Sequence, residues 1–140
     1  MLNHVEVAHQ PQGATGRLFE ARTTRGHVLV MDSGEGMVGA SPVDALLAAL
    51  GGCGAMDVID ILRKKRQAVT GYRVVVDGDR REEHPRVFTH IRVHHVVRGR
   101  GVSETAVAEA IRLSDEKYCT VHAMLAGAAG IASTFEVQEG

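Results

Sequence analysis

The sequence predicts an α+β protein organised around one long central helix. Three observations lead there. Short strand-like stretches precede a strong helix start at Ser41-Pro42. Two long alternating stretches follow that helix, and two shorter amphipathic helices and a final strand close the chain. The predicted order is βββ-α-ββ-αα-β.

Residues 4–9, 16–22 and 26–31 read as short strands separated by turns. Val28, Val30 and Asp32 alternate with Leu29 and Met31. The glycine-rich stretch Ser33-Gly34-Glu35-Gly36 leads into a helix start, with Ser41 at the cap, Pro42 at the first helical position and Asp44 three residues after the cap. The helix is predicted from Pro42 to about Arg66, ~37 Å long at 1.5 Å per residue. Its half from Ala45 to Met56 is apolar all round, which suits a core or an oligomer interface. That run is too short to cross a bilayer core of ~30 Å. Arg63, Lys64, Lys65 and Arg66 crowd its C-terminus, where cations suit the helix dipole, and read as a solvated end.

Tyr72 to Arg81 and Val87 to Arg98 read as two long strands joined by a hairpin at Glu82-Glu83-His84-Pro85. Val87, Ile91, Val93 and Val97 share one face of the second strand. Phe88, His90, Arg92, His94 and Arg98 share the other, a contrast that suits an antiparallel sheet. Ser103 starts a helix with Val107, Ala110, Ile111 and Ser114 on one side. A third helix is predicted from about Cys119 to Ala129, with Val121, Met124, Leu125 and Ala128 as its buried stripe. Ile131 to Gln138 closes as a strand. The chain has 140 residues, enough for one domain, residues 1–140, burying roughly 70% of its unfolded surface.

Composition narrows the function classes. A net charge of −1 points away from nucleic acid and anionic membranes, and 4% aromatics without Trp offer no base-stacking platform. The start Met1-Leu2-Asn3-His4-Val5-Glu6 lacks the basic-then-apolar pattern of a signal peptide, so a cytoplasmic protein is expected. In that compartment two cysteines point to thiol chemistry, metal binding or simple burial more than to a structural disulfide.

Cys53 sits mid-helix in Leu50-Gly51-Gly52-Cys53-Gly54-Ala55. Three helical glycines cost ~1 kcal/mol each relative to alanine, so a close approach by backbone or ligand should offset them. Tight packing around an inert cysteine meets the same requirement. Cys119, in Tyr118-Cys119-Thr120-Val121-His122, falls at a predicted helix start, where the dipole and Lys117 favour thiolate. A thiol there could resolve a sulfenic acid on Cys53, or be only a capping-region residue. Among eight histidines, His90 and His94 share a strand face, but ~13 Å of strand separates them. Cys119 and His122 form a Cys-x-x-His pair, and no closely spaced cysteines suggest a zinc knuckle. No metal or other cofactor is therefore expected. No nucleophile-elbow serine motif supports a hydrolase.

Gly39-Ala40-Ser41-Pro42-Val43-Asp44-Ala45-Leu46-Leu47-Ala48-Ala49-Leu50-Gly51-Gly52-Cys53 resembles the motif carrying the peroxide-reactive cysteine of the OsmC/Ohr family. Asp57-Val58-Ile59-Asp60-Ile61-Leu62-Arg63-Lys64-Lys65-Arg66, the stretch from Arg80 to His90, and Ser114-Asp115-Glu116-Lys117-Tyr118-Cys119 extend the resemblance over roughly residues 15 to 138. It is closest to the YhfA-like branch. The resemblance implies an intertwined homodimer with two long central helices against large sheets and active sites at the interface. It implies reduction of organic hydroperoxides through a sulfenic acid on Cys53, a disulfide with the resolving Cys119, and recycling by an external dithiol. Ohr enzymes also use an arginine and a glutamate. Arg17 is the match for the arginine, with Arg22 and Arg25 as rivals. The glutamate position falls on Val43, leaving the neighbouring Asp44, which also reads as part of the helix cap. The competing readings on the same fold are a non-catalytic binder of hydrophobic ligands and a redox sensor.

Overall fold

The computed structural model describes residues 1–140 and follows the predicted order. Strands β1 (Val5–His9), β2 (Phe19–Thr23) and β3 (Val28–Met31) form an antiparallel sheet in the order β1-β2-β3. Helix α1 runs from Pro42 to Lys64. Strands β4 (Ala68–Arg80), β5 (Phe88–Arg100) and β6 (Gly130–Glu139) form a second sheet, and helices α2 (Glu104–Leu113) and α3 (Thr120–Leu125) lie between β5 and β6. The chain divides into two compact units, Met1–Leu46 and Leu47–Gly140.

In the first unit β2 begins at Phe19, not at 16. The chain from Gln10 turns before it, with the Gly13 amide on the Gln10 carbonyl and Gly16 in a left-handed conformation. Strand β3 stops at Met31. Asp32 leaves the strand pattern because its buried carboxylate has backbone to satisfy: it accepts from the Ser33 amide at 2.8 Å, the Val38 amide at 3.1 Å and the Thr15 hydroxyl. The Thr15 hydroxyl holds its pKa below the ordinary carboxylate value; burial, the next largest effect, opposes this, and the Val38 and Ser33 amides add to the lowering. A depressed folded pKa stabilises the loop above the ordinary aspartate range, and that contribution disappears as pH falls through the depressed value. Protection of the Ser33 and Val38 amides, measured relative to intrinsic exchange at each pH, is expected to fall on acidification in the native protein. In Asp32→Asn that protection should be low and nearly constant over the same range; equal protection in both would refute this role. By itself this unit buries a single apolar side chain, Ala21, and leaves Val5, Val7, Val28, Leu29 and Val30 exposed.

Helix α1 starts as its sequence requires, with the Asp44 amide donating to Ser41 Oγ at 3.1 Å. It ends at Lys64, two residues earlier than predicted. Arg66 takes a left-handed φ of 58°, its amide bonds the Arg63 carbonyl, and the Gln67 amide bonds the Leu62 carbonyl. That pair of bonds is the Schellman closure of a helix. Contrary to the reading from Ala45–Met56 alone, the 23-residue α1 is long and apolar enough to cross a membrane, an 18-residue stretch of it having a mean hydropathy of 1.8. Leu50, Gly51, Val58 and Leu62 are nevertheless buried within the fold, and Asp57 and Asp60 interrupt the apolar sequence.

The second sheet is mixed, not purely antiparallel. Strands β4 and β5 pair antiparallel, while β6 lies parallel to β5 with Gly130 opposite His90. The chain between β5 and β6, with its two helices, is a crossover that returns it to the start of β5, and this makes the pair parallel. One face of this sheet is covered. Leu50, Ile91 and Val93 form one core cluster; Val58, Leu62, Val97, Val102, Val107, Ala110 and Ile111 form another. Ser103 caps α2 through its Oγ, which accepts from the Ala106 amide at 3.1 Å. After α2 the chain makes one π-helical turn, Ser114–Tyr118, before α3. Helix α3 is shorter than predicted, so Ala128 lies beyond it, and Met124 points outward at 74% exposure.

Candidate functional site

The two cysteines are neighbours in the second unit, Cys53 being among the groups that act on the Cys119 thiol. Cys53 lies half-buried in α1, and Cys119 is buried where the π-turn passes into α3; both are free thiols. The glycines around Cys53 have separate explanations. A Cβ on Gly51 would lie 2.9 Å from Val76 Cγ2, so this glycine lets the helix close onto the sheet. A Cβ on Gly54 would lie 3.7 Å from Ser114 Oγ, an ordinary contact, and one on Gly52 would meet open space.

Cys119 is held by the π-turn. Its amide donates to the Ser114 carbonyl at 2.8 Å, the bond that closes the wide turn, and its Sγ accepts from the His122 amide at 3.4 Å. The Cys-x-x-His spacing thus serves as a helix cap, while the His122 ring faces the Asp115 carboxylate at 3.9 Å. The thiolate expected from the helix start does not form. Burial, the largest effect, pushes the Cys119 pKa up to about 11; the His122 amide, next in size, opposes it, and the neighbouring Cys53 and the Asp57 charge add smaller upward contributions. Lys117, the predicted cation, instead lies 5.2 Å from the centre of the Tyr118 ring. Cys119 is therefore a protonated thiol at neutral pH, and of the two cysteines the half-buried Cys53 is the more accessible.

Four further residues complete this region, and sequence reasoning did not assign them to it. Asp57, one turn after Cys53, accepts from Ser114 Oγ at 3.0 Å, and Ser114 is 1% exposed. His95 is buried, with Nδ1 2.7 Å from the Tyr72 hydroxyl. Burial lowers the His95 pKa and, with the charge of Asp115, raises that of Tyr72, so this pair is a neutral imidazole beside a neutral phenol. His95 Nε2 has no protein partner. The signals were present. His95 has the same strand parity as Ile91, Val93 and Val97, and Ser114 is the polar member of an otherwise apolar helical stripe.

Arg17 and Asp44 belong to the first unit. Arg17 is exposed, its amide donating to Thr15 Oγ1 at 3.0 Å, and it lines a concavity of 340 Å³ with Val7, Phe19, Met31 and Pro42. Asp44 is exposed in the first turn of α1, and no ion pair joins it to Arg17 within the chain.

Similar proteins share this architecture. The OsmC-like protein family model matches residues 33–134. Protein YhfA of Escherichia coli (strain K12) is 45% identical over 122 residues, spanning 87% of this chain and 91% of YhfA. The crystal structure of a hypothetical protein from Aquifex aeolicus VF5 superposes with a TM-score of 0.87 at 31% identity, covering 100% of this chain and 98% of that one. An organic hydroperoxide resistance protein OsmC from Legionella pneumophila, described as a predicted redox protein, has the same fold at a TM-score of 0.70 and 13% identity, over 98% of each chain. With the family match running from the loop before α1 into β6, the chain belongs to the OsmC-like family.

Proposed function

We propose that this protein, acting as one OsmC-like domain over residues 1–140, is a thiol peroxidase for organic hydroperoxides. The observation that carries this reading is the juxtaposition of Cys53 and Cys119 as free thiols, one half-buried and one buried and protonated. The name of the Legionella relative adds support. The Cys53 thiolate attacks the distal peroxide oxygen; the O–O bond breaks, an S–O bond forms, and the alkoxide takes a proton to leave as alcohol. Cys119 sulfur then attacks the Cys53 sulfenic sulfur, forming the disulfide as water departs. An external dithiol supplies two electrons to restore both thiols. Arg17 is the cation proposed to hold the Cys53 thiolate and Asp44 the carboxylate proposed to orient that arginine; no metal or organic cofactor enters the scheme.

The test is stopped-flow oxidation of the reduced protein by cumene hydroperoxide. Rapid loss of one peroxide per subunit with formation of the Cys53–Cys119 disulfide supports the peroxidase. A rate no faster than a free thiol at the same pH refutes it. The apolar lining of the concavity beside Arg17 then favours the second reading, a binder of hydrophobic ligands.

A homodimer is part of the proposal. Leu46 and Met56 on α1 are 40% and 70% exposed, and the first unit has almost no core of its own, so a second copy is the natural cover for both. Met56→Glu leaves the packed face of α1 untouched and is expected to convert dimers to monomers in light scattering after gel filtration. An unchanged mass would place Met56 outside any interface.

A further inference from the structure

Asp57 has no role in the chemistry above, yet it is built into the thiol pair. It follows Cys53 by four residues and so shares its face of α1. Its carboxylate is anchored at 3.0 Å by Ser114 Oγ, and the carbonyl of that same buried serine receives the Cys119 amide at 2.8 Å. One residue therefore fixes both the carboxylate and the backbone presenting the resolving thiol. A π-helical turn, rare in proteins and frequent at functional sites, is the device that does this. The other ionisable neighbours are accounted for. Cys53 comes from the same helix. His122 from α3 faces Asp115 of the π-turn, and Asp115 in turn acts on Tyr72 and His95 of the sheet. On its outer side Asp57 lines a groove of 380 Å³ with Asp60, Lys64, Lys65 and Tyr118, which gives it a route to water.

We propose that Asp57 is the general base of the resolving step, taking the Cys119 proton as the Cys119 sulfur attacks Cys53. The need for a base follows from burial: with a pKa pushed up to about 11, Cys119 is a thiolate in only ~1 molecule in 10,000 at pH 7. In the peroxide reaction the Cys53 S–O bond breaks as the S–S bond forms. The proton passes from Cys119 to Asp57 and on to the departing hydroxide, giving water and leaving Asp57 ionised. The inference rests on the thiol-pair reading above, but not on peroxide being the oxidant.

A chromogenic aryl disulfide, dithionitrobenzoic acid, separates the two. Cys53 displaces one aryl thiolate and becomes a mixed disulfide; Cys119 then attacks the Cys53 sulfur and displaces the second. The second phase reads proton removal from Cys119 without any peroxide. Asp57→Asn retains an acceptor for the Ser114 hydroxyl but cannot take a proton. It is expected to leave the first phase intact, slow the second by about 100-fold or more, and make its rate rise about tenfold per pH unit where the native protein is nearly flat. Asp57→Glu should recover part of the rate. The opposite sign overturns the proposal: if Asp57 is only a negative neighbour that raises the Cys119 pKa, removing it leaves the second phase unchanged or faster. Should Asp57→Asn fail to fold, Ser114→Ala carries the test, with a second phase slowed about tenfold in support and a native rate against. Normal exchange phases in a protein inert to hydroperoxide would discard the peroxidase reading alone.

Discussion

Cys53→Ser is expected to abolish hydroperoxide consumption, leaving no reaction above the buffer background, whereas Cys119→Ser should still consume one peroxide per subunit. The asymmetry follows from where the sulfurs lie. Cys53 is half-buried in α1 and accessible to a small oxidant; Cys119 is 4% exposed and held as a protonated thiol. Only a thiolate is a competent nucleophile, so the buried partner cannot replace the first. In Cys119→Ser the sulfenic acid on Cys53 has no resolving partner. It should persist long enough to be trapped by a dimedone-type reagent and then oxidise further with excess peroxide. Mass spectrometry of the two variants after one equivalent of cumene hydroperoxide checks both halves. Equal loss of activity in both, with no sulfenic acid in Cys119→Ser, would mean that the two cysteines do not divide the work as proposed.

The largest effect on stability is expected at Leu62. It is fully buried beside Val58, Val97, Val107 and Ala110, where α1 and α2 pack over the sheet. Leu62→Ala removes a side chain whose neighbours belong to three different elements, which limits how far the site can collapse into the space left. A loss of about 2–5 kcal/mol is expected, or a fall in Tm of roughly 6–20 °C. By contrast Gly52→Ala, on a helix position that faces open space in the chain, should gain close to ~1 kcal/mol from helix propensity alone. Thermal denaturation followed by circular dichroism compares the two. A Leu62→Ala midpoint within a degree or two of the native one would show that this cluster does not carry the fold.

The sequence by itself determined the element order, the start of α1 and of α2, and the covered face of β5 through Ile91, Val93 and Val97, because each depends on residues near one another in the chain. It also marked Cys53 and Cys119, since an ordered set of motifs carried the family resemblance. What it could not decide were relations across long separations. The left-handed Arg66 ends α1 two residues before its predicted close, and nothing in the basic run Arg63-Lys64-Lys65-Arg66 marks that residue as left-handed. The parallel placing of β6 is set by a crossover, not by anything in the strand itself. The protonation of Cys119 reversed the expectation drawn from its helix start. That expectation rested on a local dipole and Lys117, while burial between packed elements supplied the largest effect and Cys53 and Asp57 added smaller ones in the same direction. Ser114 and His95 escaped for the same reason: each is an ordinary polar residue until packing removes its water, and only the tertiary structure decides which polar side chains lose theirs; Asp57 stands out only through its bond to the buried Ser114, 57 residues away in the chain.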